Sequence, residues 1–84
     1  MPHRNISARE KQIIQKAHQF LPAGSLGNLG NDIIINEGHG GRVRDVSGNE
    51  YVDYLLGSGP MLIGHAHPEV TAAVCEQLKK GTTF

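Results

Sequence analysis

Residues 57–70 read GSGPMLIGHAHPEV and bring together the side chains with the most evident chemistry: a serine between two glycines, Ser58, and two histidines in an H-A-H arrangement, His65 and His67. Two imidazoles two residues apart face the same way only in an extended segment. No Cys, Asp or Glu stands beside them at ligand spacing, which argues against a metal centre. Ser58 lacks the G-x-S-x-G order of a nucleophile elbow, and Pro60 follows too soon for the strand, turn and helix that motif needs. Asp45 and Asp53 make a formal carboxylate pair but read more simply as solvent-facing strand positions. Gly24, Gly27 and Gly30 recur at three-residue intervals, yet the Walker lysine is missing and a strand rather than a helix follows, so phosphate binding by this loop is disfavoured. What Gly57–Pro60 does offer is close backbone approach. A strand ending in Gly-Ser-Gly-Pro can turn sharply and present main-chain groups and one small side chain to a ligand, which reads as pocket wall.

Positioning that wall falls to five elements. Residues 7–21 carry a capping box, in which Ser7 accepts from the Glu10 backbone and the Glu10 side chain reaches back to Ser7. Ile13, Ile14, Ala17, Phe20 and Leu21 then recur at helical spacing, and Pro22 and Gly24 end the helix. Residues 22–32 read as an ordered loop. Three strand candidates follow at 32–38, 41–46 and 50–56. The first, with three consecutive isoleucines, suits a strand buried on both faces, and the last two flank Ser47-Gly48-Asn49, where Gly48 can take the positive φ of a tight hairpin. The group predicts an antiparallel meander. Residues 67–81 predict a second helix with His67 as cap, Pro68 in the first turn, Glu69 at the positive end, Lys79 and Lys80 at the negative end and Gly81 at the exit. Val70, Ala73, Val74 and Leu78 form its apolar stripe, and Cys75 reads as a small packing residue. The fold class is an α+β segment: N-terminal helix, three-stranded antiparallel meander, second helix.

The chain has 84 residues, with 8 basic and 8 acidic side chains, so it carries no basic field for nucleic acid or an anionic membrane. No apolar run approaches the roughly 18 residues that span a bilayer, and the N-terminus is polar where a signal peptide is apolar, which predicts a cytoplasmic protein. A single cysteine excludes an internal disulfide framework. The hydrophobic fraction is 38%, diluted by 11 glycines and 4 prolines, and the two amphipathic helices and the meander present more apolar faces than they can mutually cover. The expectation is therefore a leading segment of a larger domain, with residues 1–31 as a helical arm and glycine-rich loop and residues 32–84 as the start of a small domain. The competing expectation is a stand-alone, non-catalytic interaction module.

The run D-V-S-G-N-E-Y-V-D-Y from Asp45, then G-P-x-x-x-G-H-A-H-P-E-V up to Val70, and the closing Gly81-Thr82-Thr83-Phe84, together with Leu21-Pro-Ala-Gly24, resembles the N-terminal part of class III aminotransferases. The resemblance covers residues 7–84, and the nearest branch is glutamate-1-semialdehyde 2,1-aminomutase with its transaminase relatives. It implies the N-terminal part of a fold type I α/β enzyme dependent on pyridoxal 5'-phosphate (PLP). Such an enzyme is homodimeric and moves an amino group between an amine or amino acid and a keto acid or aldehyde. In the family the lysine that anchors PLP, the acid beside the ring nitrogen and the main phosphate-binding turn lie beyond this point. The resemblance therefore places no catalytic or cofactor-binding residue here and implies that the chain alone is inactive. What it carries over is substrate contact at Ser58 and Gly59, and at Ser25, Leu26 and Gly27 in the loop. The aminomutase branch usually has tryptophan at the Ser58 position and an asparagine-serine-proline run where this loop reads Ser-Leu-Gly-Asn. Both departures favour a transaminase with a roomier or more polar pocket over the aminomutase proper.

Overall fold

The computed structural model describes residues 3–24 and 32–84. Helix α1 spans Ala8–Phe20 with Ser7 as its N-cap, and a short turn at Pro22–Gly24 follows it. Strands β1 (Ile35–His39), β2 (Arg42–Asp45) and β3 (Glu50–Val52) form an antiparallel sheet in the order β1-β2-β3, and helix α2 spans Pro68–Leu78. The fold is the expected α+β segment.

Half of the capping box forms. The Ser7 hydroxyl accepts from the Glu10 N–H at 3.2 Å, but the Glu10 carboxylate turns away from the cap, and the Ser7 N–H donates instead to Ser47 Oγ at 2.8 Å. In α2, Pro68 occupies the first turn and Gly81 takes φ +96° beyond the exit. His67 sits at the N-cap without a side-chain capping bond, and Lys79 and Lys80 fall just past the last turn.

The strands are shorter than their apolar patterns. Ile33 and Ile34 precede β1, and Ile33 and Ile35 are 41% and 49% exposed, so the isoleucine run is not a strand buried on both faces. A register shift between Ile35 and Glu37 interrupts the β1–β2 ladder, as a bulge does. β3 stops at Val52 because Asp53 Oδ1 accepts the N–H groups of Leu55 and Leu56 at 2.9 and 3.1 Å, an Asx-type turn that takes the chain out of the sheet. The β2–β3 turn has Gly48 at φ +89°, as the hairpin requires.

No apolar side chain is fully buried among the described residues. Among the described residues the side chains removed from water are two carboxylates, Glu10, 0% exposed, and Asp45, 2% exposed. Neither helix packs against the sheet, and Val70, Val74 and Leu78 of α2 are all exposed.

Candidate functional site

Two constellations organise the chain, and the first is a buried ionic cluster. One guanidinium nitrogen, Arg4 Nη1, donates to both oxygens of Glu10 at 2.9 and 2.8 Å and to Asp45 Oδ2 at 2.8 Å, while Nη2 donates to the Asp32 carbonyl. Glu10 also accepts from the Ile34 N–H at 3.0 Å and from the Ser47 hydroxyl. Asp45 Oδ1 accepts the Ser47 and Asn49 N–H groups, both at 2.9 Å, and Oδ2 accepts Asn49 Nδ2 at 2.9 Å and the Tyr51 hydroxyl at 2.8 Å. Asn5 joins through its backbone, its N–H donating to Asn49 Oδ1 and its carbonyl accepting from Asn49 Nδ2.

Charges out of water are costly unless paired and hydrogen-bonded, and these are both. Burial pushes the Asp45 carboxyl up, but the donors from Asn49, Tyr51 and Ser47 outweigh it and hold it well below the usual carboxylate range. At Glu10 burial likewise acts upward and is overcome by Arg4, Ser47 and the Ile34 N–H. Burial and the bond to Asp45 push the Tyr51 hydroxyl up, and the bond to Glu10 raises the Arg4 guanidinium, so both remain donors at neutral pH.

The second constellation surrounds the sequence-predicted pocket wall. After Asp53, four consecutive residues take positive φ: Leu56 (54°), Gly57 (63°), Ser58 (67°) and Gly59 (112°). The Ser58 and Gly59 N–H groups donate to the Leu55 and Leu56 carbonyls at 3.0 and 3.1 Å, and Met61 N–H also reaches the Leu56 carbonyl. Left-handed backbone costs a non-glycine residue about 1–2 kcal/mol, so Leu56 and Ser58 are both strained, and strain of this kind collects at ligand-binding positions. The turn leaves Ser58 and Gly59 exposed.

Beneath it, Asp53 Oδ2 pairs with His65 Nε2 at 2.5 Å. The hydrogen bond from His65 first, then the Leu56 and Leu55 N–H groups, hold the Asp53 carboxyl below its usual range against a smaller upward effect of burial. His65 is itself pinned: its N–H and carbonyl pair with the carbonyl and N–H of Gly40, each at 2.9 Å. Gly64, at φ +85°, permits that approach, since a Cβ there would lie 2.8 Å from the Gly40 carbonyl carbon.

Ser58 and Gly59 therefore lie together in the turn, whereas Ser25, Leu26 and Gly27 lie outside the described residues. Asp45 and Asp53 are not the solvent-facing positions their alternation suggests. Asp45 is the centre of the buried cluster and Asp53 the partner of His65. Arg4 and the pairings of Glu10 and His65 leave no local signal, because the partners lie 6 to 41 residues away; Glu10 reads as part of a capping box and His65 as half of H-A-H. For Asp45 a signal exists in D-V-S-G-N, where Ser47 and Asn49 follow at the offsets from which their N–H groups reach back. Chemically the turn can offer a hydroxyl and backbone groups. Asp53 binds one ring nitrogen of His65, the imidazole nearest in sequence to Ser58, and among the described residues no hydrogen bond joins that ring to the Ser58 hydroxyl. Among the described residues His67 Nδ1 is buried without a partner, and no three His, Cys, Asp or Glu side chains converge on a point. Cys75, expected as packing, is exposed, and no helix among the described residues is long and apolar enough to cross a membrane.

Comparison with known proteins places the segment. The Aminotransferase class-III family model matches residues 26–84. A glutamate-1-semialdehyde 2,1-aminomutase of Syntrophomonas wolfei is 39% identical over 85 residues, which cover 90% of this chain and 19% of the relative. The solved structure of a glutamate-1-semialdehyde-aminomutase from Pseudomonas aeruginosa PAO1 superposes with a TM-score of 0.78 at 32% identity, over 90% of this chain and 18% of that one. That of a transaminase with PLP bound gives 0.78 at 29% identity, over 96% and 20%. The chain thus spans about a fifth of the length of the curated relatives it matches.

Proposed function

Because the chain belongs to the class-III aminotransferase family, we propose that it supplies the opening arm and one substrate-pocket wall of a PLP-dependent aminotransferase. That enzyme moves an amino group between an amine or amino acid and a keto acid or aldehyde. The observation that carries this reading is the strained turn Leu56–Gly59, which leaves Ser58 and Gly59 exposed at the end of a short sheet. Ser58 and Gly59 are the wall; Ser25, Leu26 and Gly27 belong to the same proposal through the family resemblance. The exposed apolar faces fit a segment covered by the rest of an enzyme and by a second subunit.

The residues described do not fit the cofactor itself. When bound, PLP would supply the electron sink for amino-group transfer, and a lysine lining its pocket would hold it. Lys11, Lys16, Lys79 and Lys80 are all exposed on the helices or just beyond them. The 84-residue chain is accordingly proposed to be inactive alone, with its contribution limited to shaping and binding.

A serine at position 58 leaves room where a tryptophan would close the pocket, which favours a transaminase. The 39% identity to an aminomutase favours the second reading, that the substrate is glutamate 1-semialdehyde. In the full-length enzyme, Ser58→Trp should change the relative kcat/KM of amino donors by about tenfold or more, because it alters pocket shape rather than cofactor chemistry. Unchanged donor preference would remove Ser58 from the pocket. Turnover of glutamate 1-semialdehyde in preference to every donor–acceptor pair would decide for the aminomutase.

A further inference from the structure

We propose that Asp53 and His65 are positioning residues whose pair clasps the two ends of the Ser58 turn and thereby sets which substrates the pocket accepts; this rests on the reading of Ser58 as pocket wall. The chain leaves the sheet at Asp53 and returns to it at His65, and everything between hangs from those two points. Asp53 divides its carboxylate between them. Oδ1 takes the N–H groups of Leu55 and Leu56 and fixes the entry to the turn, while Oδ2 takes His65 Nε2 and fixes the exit. The His65 end is anchored independently of Asp53 by its two backbone bonds to Gly40. Its ring lies over Gly38, where an added Cβ would come within 2.7 Å of Cγ, so the imidazole packs directly on that backbone. Four consecutive positive-φ residues, two of them with side chains, form a conformation that relaxes once an end is freed. Neither Asp53 nor His65 carries the exposed surface of the turn, so their effect on a substrate passes through Ser58 and Gly59.

The test uses the full-length enzyme with its cofactor and two readouts. One is amide exchange at Ser58, Gly59 and Met61, whose N–H groups close the turn. The other is the ratio of kcat/KM between a small and a bulky amino donor. Asp53→Ala removes the acceptor, and His65→Phe keeps a ring over Gly38 but removes the donor, so it decides alone if Asp53→Ala does not fold. Each should raise turn exchange and shift the donor ratio by about tenfold or more, whereas Asp53→Asn and His65→Gln, which can keep a donor–acceptor pair, should stay within about threefold of the parent. Unchanged exchange in His65→Phe overturns the clasp. Raised exchange with an unchanged donor ratio, while Ser58→Trp does move that ratio, overturns the link to selectivity and leaves the pocket reading intact. A ratio that Ser58→Trp also fails to move overturns the pocket reading, and the selectivity claim falls with it, while the exchange data still judge the clasp.

Discussion

Asp45 accepts hydrogen bonds from a guanidinium, a phenol, a side-chain amide and two backbone N–H groups, and with Glu10 it replaces an apolar centre in this segment. Its alternation along a short strand suggests exposure, because a carboxylate without visible partners is ordinarily solvated. Its partners come from residues 4, 47, 49 and 51, and only the nearby ones leave a trace in the sequence. Both carboxyls have folded pKa values below their unfolded ones of about 4. Their contribution is therefore fully present above about pH 5 and is lost as pH falls through the folded values. Protection of the Ser7 and Ile34 amides, corrected for intrinsic exchange, should be flat from about pH 5 to 8. Below about pH 4 it should fall by about 1.4 kcal/mol per pH unit for each carboxyl. Asp45→Asn should make that fall shallower by one proton's worth, and an acid limb identical to the parent's would reject Asp45 as a source.

At the scale of elements, the helices are the legible part. The S-A-R-E start and the H-P-E start place the beginnings of α1 and α2 within a residue of where they lie, since capping and proline signals are local, while α2 ends at Leu78, short of the expected exit at Gly81. The meander's order follows from its turns. Its strand lengths do not, because apolar runs extend past the points where side chains intervene: Asp53 ends β3, and the isoleucines before β1 belong to the approach rather than to the strand. The join between Gly40 and His65 leaves no trace in the sequence, being a backbone pairing across 25 residues. It nevertheless makes a definite demand on Gly64. Gly64→Ala would place a methyl 2.8 Å from the Gly40 backbone at φ +85°. Denaturant unfolding of the full-length enzyme should show a loss of about 2 kcal/mol or more, against about 0.5 kcal/mol for an unconstrained surface change. A loss at the lower value would mean that the two backbones are not held together.

Taken whole, the described segment is long for its mass. Its radius of gyration is 15.4 Å, where a compact domain of this length has about 12 Å. With Leu62, Ile63, Tyr54 and Phe84 exposed as well as the α2 stripe, it has the surface of a part rather than of a finished domain. Heated alone, the 84-residue chain should show a broad, weakly cooperative transition with dye-accessible apolar surface. A sharp transition from a monomer would favour the stand-alone module instead.

The polar centre also fixes alignment. An apolar core is judged by volume and forgives sliding, whereas donors and acceptors meet only when each stands at its own place. Displacing the arm by one residue moves Arg4 by about 3.3 Å, beyond reach of acceptors now at 2.8 and 2.9 Å, and separates Asn5 from Asn49 in the same step. The Arg4, Glu10 and Asp45 cluster thus acts as a vernier mark, allowing residues 4–7 one setting against the β2–β3 turn and no neighbouring one.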